Sequence, residues 1–184
     1  RHRVRALPGE LERTDRDLAA WSRVWVEEAG RPSIRTEIER SGSASSPDRP
    51  GRVTFVQRDN VEKRGLTWTQ QIDVLLGTSQ GTRSVPLELR TARTELPGTE
   101  PLDGLRFVLP TGGGLAYGGF ELDAASRTYL MAHVEELTDP VARGAAWITL
   151  WDEMLDGHVR PPDLLDAALR ALPRENTEQN IQLM

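Results

Sequence analysis

The stretch Val108-Leu109-Pro110-Thr111-Gly112-Gly113-Gly114-Leu115-Ala116-Tyr117-Gly118-Gly119-Phe120-Glu121-Leu122-Asp123 decides the fold, because the hydrophobic period of the chain changes across it. Upstream, apolar residues recur every second position, in Leu105, Phe107 and Leu109, and before them in Val85, Leu87 and Leu89. A longer run of one parity joins Leu66, Trp68, Gln70, Ile72, Val74 and Leu76 as far as Gly77, and Val53, Phe55 and Gln57 alternate likewise. Ile34, Thr36 and Ile38 begin the series after Arg31-Pro32, where proline disfavours helix at the residue before it. Alternation with period two marks strands that bury one face, and short strands punctuated by Gly and Pro predict an antiparallel β-sandwich. Ser41 to Pro50, rich in Ser and Pro and nearly free of apolar residues, is expected to be a surface loop between strands.

Downstream of Phe120 the period becomes helical. Asp123 is placed to cap a helix carrying Leu130, Val134 and Leu137 at i, i+4 and i+7. Asp139-Pro140 begins a second, with proline in its first turn and Gly157 as its stop; its expected core face is Val141, Ala145, Ile148 and Leu155. Pro161-Pro162-Asp163 begins a third, with Leu164, Leu165, Ala168, Leu169 and Leu172 ahead of Pro173, and Asn176 with Gln179 resembles a capping box for a fourth. An earlier block, Thr14 to Ala29, has Leu18, Trp21 and Trp25 at helical spacing, Thr14 or Asp15 as N-cap and Gly30 as stop. The expectation is an α+β chain: an antiparallel β-sandwich followed by an antiparallel α-helical array. Its divisions are a helical end of an upstream domain over 1–30, the sandwich over 31–122 and the start of a helical domain over 123–184. Gly112-Gly113-Gly114 should turn the chain from one half to the other with at least one glycine at positive φ, and that position alone should resist replacement.

Composition narrows the classes of function. The 184 residues contain 38% hydrophobic and 28% charged side chains and no cysteine, which removes disulfides, thiolate metal sites and cysteine nucleophiles. No apolar run approaches the roughly 20 residues that a membrane helix needs. The formal charge is −5, and all but one of the 23 basic residues are arginine, the exception being Lys63. These arginines are scattered and have acids nearby, as a GC-rich coding sequence produces, so no nucleic-acid partner and no membrane span are expected. The only histidines are His2, His133 and His158, and H-E-x-x-H, G-x-S-x-G and G-x-x-x-x-G-K are all missing. The Gly112–Gly119 run departs from dinucleotide spacing at Tyr117 and opens no helix. His133 and Glu136, at i and i+3, form one pair without a second contributing helix, and Trp147 and Trp151 sit one turn apart without a basic groove, which suits packing better than base stacking. No catalytic, cofactor-binding or metal-ligating residue is therefore assigned to this chain. It begins Arg-His-Arg-Val-Arg and stops in a helical pattern at Ile181-Gln182-Leu183-Met184, which reads as an excerpt.

Three segments together resemble aminopeptidase N family zinc peptidases. Asp17-Leu18-Ala19-Ala20-Trp21-Ser22-Arg23-Val24-Trp25-Val26-Glu27-Glu28-Ala29-Gly30-Arg31-Pro32 is similar to the passage from their thermolysin-like catalytic domain into a small β-sandwich. Val108 to Asp123 resembles the sandwich-to-helical junction, in which a small-residue turn and an aromatic lead into a final strand ending in Asp. Leu137 to Leu155, with Asp139-Pro140, Arg143-Gly144 and Trp151, looks like the opening helices of the C-terminal domain. The resemblance covers nearly the whole chain in the right order. It implies that H-E-x-x-H, the third ligand Glu, the G-x-M-E-N loop and the catalytic Tyr of the family would lie upstream of Arg1, so none transfers to this sequence. Zinc, which in that family polarises the scissile carbonyl and activates water, would belong to the parent enzyme and not to this chain. The chain would be a spacer and chamber wall whose partners are the upstream catalytic domain and downstream helices of the same protein, with peptides as substrates of the whole enzyme. The alternative is a free-standing protein-binding adaptor or adhesion module with no enzymatic role.

Overall fold

A computed structural model describes residues 18–43, 46–61, 63–98 and 104–184. The expected N-cap at Thr14 or Asp15, and His2, lie outside these residues. Helix α1 (Leu18–Ser22) continues through a wider turn, Arg23–Glu27, and gives way to strands β1 (Pro32–Ser43), β2 (Ser46–Asp59), β3 (Gln70–Thr78), β4 (Gly81–Leu89), β5 (Arg93–Glu95), β6 (Leu105–Leu109) and β7 (Gly119–Glu121). Helices α2 (Ala124–His133), α3 (Pro140–Leu155), α4 (Pro161–Ala171) and α5 (Glu178–Leu183) follow.

The strands form two sheets, ordered β5-β2-β1-β7 and β4-β3-β6. Neighbours are antiparallel except β1 and β7, which run parallel through Ser33↔Gly119, Ile34↔Phe120 and Arg35↔Glu121. The sheets close on a core that includes Ile34, Val53 and Phe55 from one and Ile72, Val74, Leu76 and Val108 from the other. On the second sheet part of the opposite face, along β6 and the end of β3, is also buried. Phe107 and Leu109 point away from the sandwich into a second core with Leu130, Trp147, Leu150 and Leu164, and Leu75 packs against it. The molecule therefore stacks sheet, sheet and helices, with β3 and β6 in the middle layer. Because β6 lies at a sheet edge, its free side requires a partner, and Ser126 of α2 provides one by accepting from the Val108 N–H at 2.8 Å.

Several sequence expectations change here. The expected loop from Ser41 to Pro50 is largely ladder, since Arg40↔Pro50, Ser41↔Arg49 and Ser43↔Ser46 still pair. Leu66 and Trp68 precede β3 instead of belonging to it. The Trp68 N–H donates to Gln57 Oε1 at 2.6 Å, and Gln57 Nε2 donates to the Trp68 carbonyl at 3.2 Å, so a buried side-chain amide does the work of a ladder. β5 and β7, three residues each, are too short to show a period.

The first three helices after β7 keep their starts; Leu130, Val134 and Leu137 are buried as expected, and so is Ala145 of α3, while the rest of the α3 face differs. Asp123 caps α2 by accepting from Ala125 and Ser126, and Asp139 caps α3 by accepting from Val141. The last helix starts after Thr177, without a side-chain cap, in place of the expected Asn176–Gln179 box. Val141, Ile148 and Leu155 are 52%, 53% and 73% exposed, and the buried side of α3 is instead Ala142, Ala146, Trp147, Thr149 and Leu150. In α4, Leu164, Ala167, Ala168 and Ala171 are buried while Leu165, Leu169 and Leu172 face outward. Both helices are apolar on more than one face, so periodicity alone could not choose the buried one.

The turn at 109–114 is built from two overlapping bonds, Gly112 N–H to the Leu109 carbonyl at 3.2 Å and Gly114 N–H to the Thr111 carbonyl at 2.8 Å. Gly114 has the expected positive φ, 76°. Gly112 is restricted for a different reason: a Cβ there would stand 2.4 Å from Leu75 Cβ, which a strand backbone holds in place. Gly112→Ala and Gly114→Ala should each lower stability by about 1–3 kcal/mol, the first through overpacking and the second through backbone strain. Urea denaturation of the two variants checks this; an unchanged midpoint for Gly112→Ala would mean that the loop does not press on β3.

Candidate functional site

The glycine-rich loop that follows β6 is where the three parts of the chain meet. The Tyr117 N–H donates to Gln70 Oε1 at 2.9 Å and Gln70 Nε2 donates to the Tyr117 carbonyl at 2.8 Å, clamping the loop to the start of β3. The Tyr117 hydroxyl donates to the Gly30 carbonyl at 3.1 Å, and its ring lies 5.2 Å from that of Trp25, which stacks on Trp21 at 5.9 Å. On the helical side Thr149 Oγ1 spends its proton on the Ala145 carbonyl, so Thr111 donates in the 2.9 Å contact between the two hydroxyls.

Arginine–carboxylate pairs fix the surrounding joints. Arg64 makes a two-pronged contact with Asp59, both bonds 2.8 Å, and donates to the Ala29 carbonyl at 2.7 Å, which fastens the exit of α1 to the end of β2. Asp59 also accepts from the Val61 and Leu66 N–H groups, and its carboxyl is held far below the ordinary range, chiefly by Arg64. Arg31 lies 3.8 Å from Asp152 of α3, whose carboxyl is nevertheless pushed up because burial outweighs the attraction.

Glu153, fully buried on α3, forms the node behind β7. It accepts from the Leu122 N–H, from Arg127 Nε at 2.7 Å, and meets His158 Nδ1 at 2.9 Å. Arg127 completes the circuit by donating to the Leu122 carbonyl at 3.0 Å. A second pair joins α3 to the segment before α5, where Arg143 grips both oxygens of Glu175 at 2.9 and 2.8 Å and donates to the Leu137 carbonyl at 2.7 Å. Glu175 accepts in addition from the Asn176 and Thr177 N–H groups and from Asn180 Nδ2, and its carboxyl is held down to about 2, first by Arg143.

Between the loop, α3 and α5 lies an open groove of about 460 Å³ walled by Ala116, Val141, Ala145 and Ile148, with Thr177 and Asn180 on its rim. Its lining is mostly apolar, interrupted by the hydroxyls of Thr111 and Thr177 and the amides of Gln179 and Asn180, and it contains no titratable side chain, so it suits packing better than acid–base chemistry. The residues singled out from sequence do not converge on it. His133 and Glu136 do meet each other, at 3.1 Å and partly exposed, with His133 stacked on Tyr129 at 4.5 Å. Among the described residues no group of three His, Asp or Glu stands close enough to hold a metal ion. The two described histidines each bond a carboxylate and no hydroxyl nucleophile. Trp147 is buried, while Trp151 is 38% exposed and donates its Nε1–H to the Leu183 carbonyl at 2.7 Å. Sequence reading missed Tyr117, Gln70, Glu153 and Glu175; each acts across a long stretch of chain, and nothing in its neighbours marks it.

No family model matches the chain. Aminopeptidase N of Streptomyces lividans is 25% identical over 195 residues, an alignment that takes in 95% of this chain and 21% of that protein. The chain thus spans about a fifth of the length of the curated relative it matches. Among the described residues no helix is long and apolar enough to cross a membrane.

Because Glu175 is held near 2 against an ordinary 4.5, its contribution to stability is complete above about pH 4.5 and is lost as pH falls toward 2. Glu175→Gln should flatten the loss of thermal stability between those pH values, and Glu175→Ala should cost about 2–4 kcal/mol at neutral pH by leaving the largely buried Arg143 guanidinium without its carboxylate partner. Thermal melts across that range check both; a variant as acid-sensitive as the parent would remove Glu175 from the account.

Proposed function

We propose that this chain is the non-catalytic sandwich and helical part of a zinc-dependent aminopeptidase that removes N-terminal residues from peptides. Its role is that of a rigid spacer that sets the distance between the catalytic domain and a helical wall. The observation that carries this reading is the alignment with aminopeptidase N, which runs along nearly all of this chain and over one contiguous share of a much longer protein. The geometry supports it. The loop carrying Tyr117 ties the exit of α1, the sandwich and α3 to one another, as a spacer requires, and the described residues offer packing surfaces in place of reactive groups.

The described residues do not fit a zinc site, because His133 at the end of α2 and Glu136 in the turn after it supply two donors and no third comes near. In this reading the metal, the general base and the substrate-binding groups all belong to another part of the enzyme, and the helical array limits which peptides reach them.

The full-length protein should hydrolyse aminoacyl anilides in a manner abolished by a chelator and restored by zinc. The 184-residue chain alone should show no hydrolysis and no stoichiometric zinc by metal analysis. Hydrolysis by the chain alone, one zinc per chain lost on His133→Ala, or an inert full-length protein would each overturn the proposal.

A further inference from the structure

The outer face of the first sheet holds a hollow of about 380 Å³. Its shape follows from the register. Arg58 of β2, Ser33 of β1 and Gly119 of β7 lie opposite one another in one row, and Val56, Arg35 and Glu121 do so in the next. Ile34, Phe55 and Phe120, which alternate with these residues, are in the core between the sheets, so both rows face outward. Small Ser33 and Gly119 thus leave a gap among long side chains. Val56 is its floor and is only 8% exposed although it faces away from the core, because Arg35 and Arg93 stand directly opposite it on either side.

The two carboxylates in the lining are already engaged. Glu121 accepts from Arg35 Nε at 2.8 Å, and Asp59 is gripped on both oxygens by Arg64. Arg58, by contrast, has no hydrogen bond or ion pair among the described residues, and Arg35 spends one of its five N–H groups on Glu121. Because Arg35 opposes Val56, it is a diagonal neighbour of Arg58 on the same face, about 7–8 Å away along the backbone and within reach of long side chains. Two like charges so placed repel, and an anion between them relieves the repulsion.

We propose that this hollow binds a small organic acid, whose carboxylate pairs with the Arg58 guanidinium and the Ser33 hydroxyl and whose carbon body lies on Val56. A guanidinium fork matches a carboxylate through two parallel bonds, and the Ser33 hydroxyl and Asn60 amide, which also line the hollow, add donors. Arg58 brings the charge that no carboxylate of the lining balances. The volume lies within the range of about 300–1,000 Å³ usual for small-ligand sites, and the apolar floor favours a ligand with a hydrocarbon part over a bare inorganic ion. The site is independent of the peptidase reading and stands or falls without it.

Isothermal titration calorimetry of the intact protein with butyrate, at an ionic strength held constant with sodium chloride, tests this. Saturable binding of one butyrate per chain is expected. Arg58→Gln should weaken it by about tenfold or more, and Arg58→Lys, which keeps the charge and loses the fork, by a smaller factor. Arg83→Gln removes an exposed arginine of the other sheet and should leave binding unchanged. Acetate and inorganic phosphate, which cannot cover Val56, should each bind about fivefold or more weakly than butyrate. Thermal melts give a second reading: butyrate should raise the melting temperature of the parent and of Arg83→Gln, but not that of Arg58→Gln, which without butyrate should melt with the parent. The absence of saturable heat, or binding untouched by Arg58→Gln, would overturn the inference. So would an equal loss in Arg83→Gln, which would mean diffuse attraction to positive charge, or phosphate binding as tight as that of butyrate.

Discussion

The second half of strand β6, Phe107 to Leu109, has no face left for water, and the rest of the structure follows from that. Val108 belongs to the core between the sheets, while Phe107 and Leu109 on either side of it belong to the core under the helices. A strand with three successive residues buried on alternating faces, at a sheet edge, needs three neighbours: β3 for its ladder, the opposite sheet for Val108, and α2 with α3 for Phe107 and Leu109. Ser126 then satisfies the Val108 N–H from the helical side, so the helices do not merely follow the sandwich in sequence; they complete it. Removing either layer would expose a wholly apolar surface on the other.

Around that middle layer the joints are made by guanidinium groups. Arg64 holds the exit of α1 to β2, Arg127 holds β7 to α3 through Glu153, and Arg143 holds α3 to the segment before α5. In each case one arginine bonds a carboxylate and a backbone carbonyl together, which its rigid planar fork of five donors holds in a fixed geometry that a lysine ammonium, a compact point charge on a flexible stem, does not impose. An arginine excess that in sequence reads as base composition thus includes a small set of residues with defined structural work. Their carboxylate partners are almost fully buried, so these pairs fix geometry more than they add net stability.

The order of elements was legible in the sequence wherever one period held over a long run, as in the strands around Phe55 and Val74 and in the helices begun by Asp123 and Asp139. What was not legible was which face each element buries. β6 reads as an ordinary alternating strand because Val108 is as apolar as its neighbours, and only a third layer explains that. The helix faces failed for a related reason: α3 and α4 each have a second apolar side, and Val141, Ile148 and Leu165 are as hydrophobic as the residues that are buried. The junction was legible as a turn from its glycines, but Tyr117, Gln70 and Glu153 were not. Their partners are 87, 47 and 31 positions away, beyond the reach of any local pattern.

A chain whose sandwich and helical layers share one strand should unfold as a single block, which the proposed spacer role requires. Differential scanning calorimetry combined with native-state hydrogen exchange tests this coupling most directly. The account predicts one transition whose calorimetric and van't Hoff enthalpies agree, with the amides of β3, β6 and α3 all exchanging at the free energy of global unfolding. Two separate transitions, or exchange of the α3 amides at a clearly lower free energy than those of β3, would contradict it.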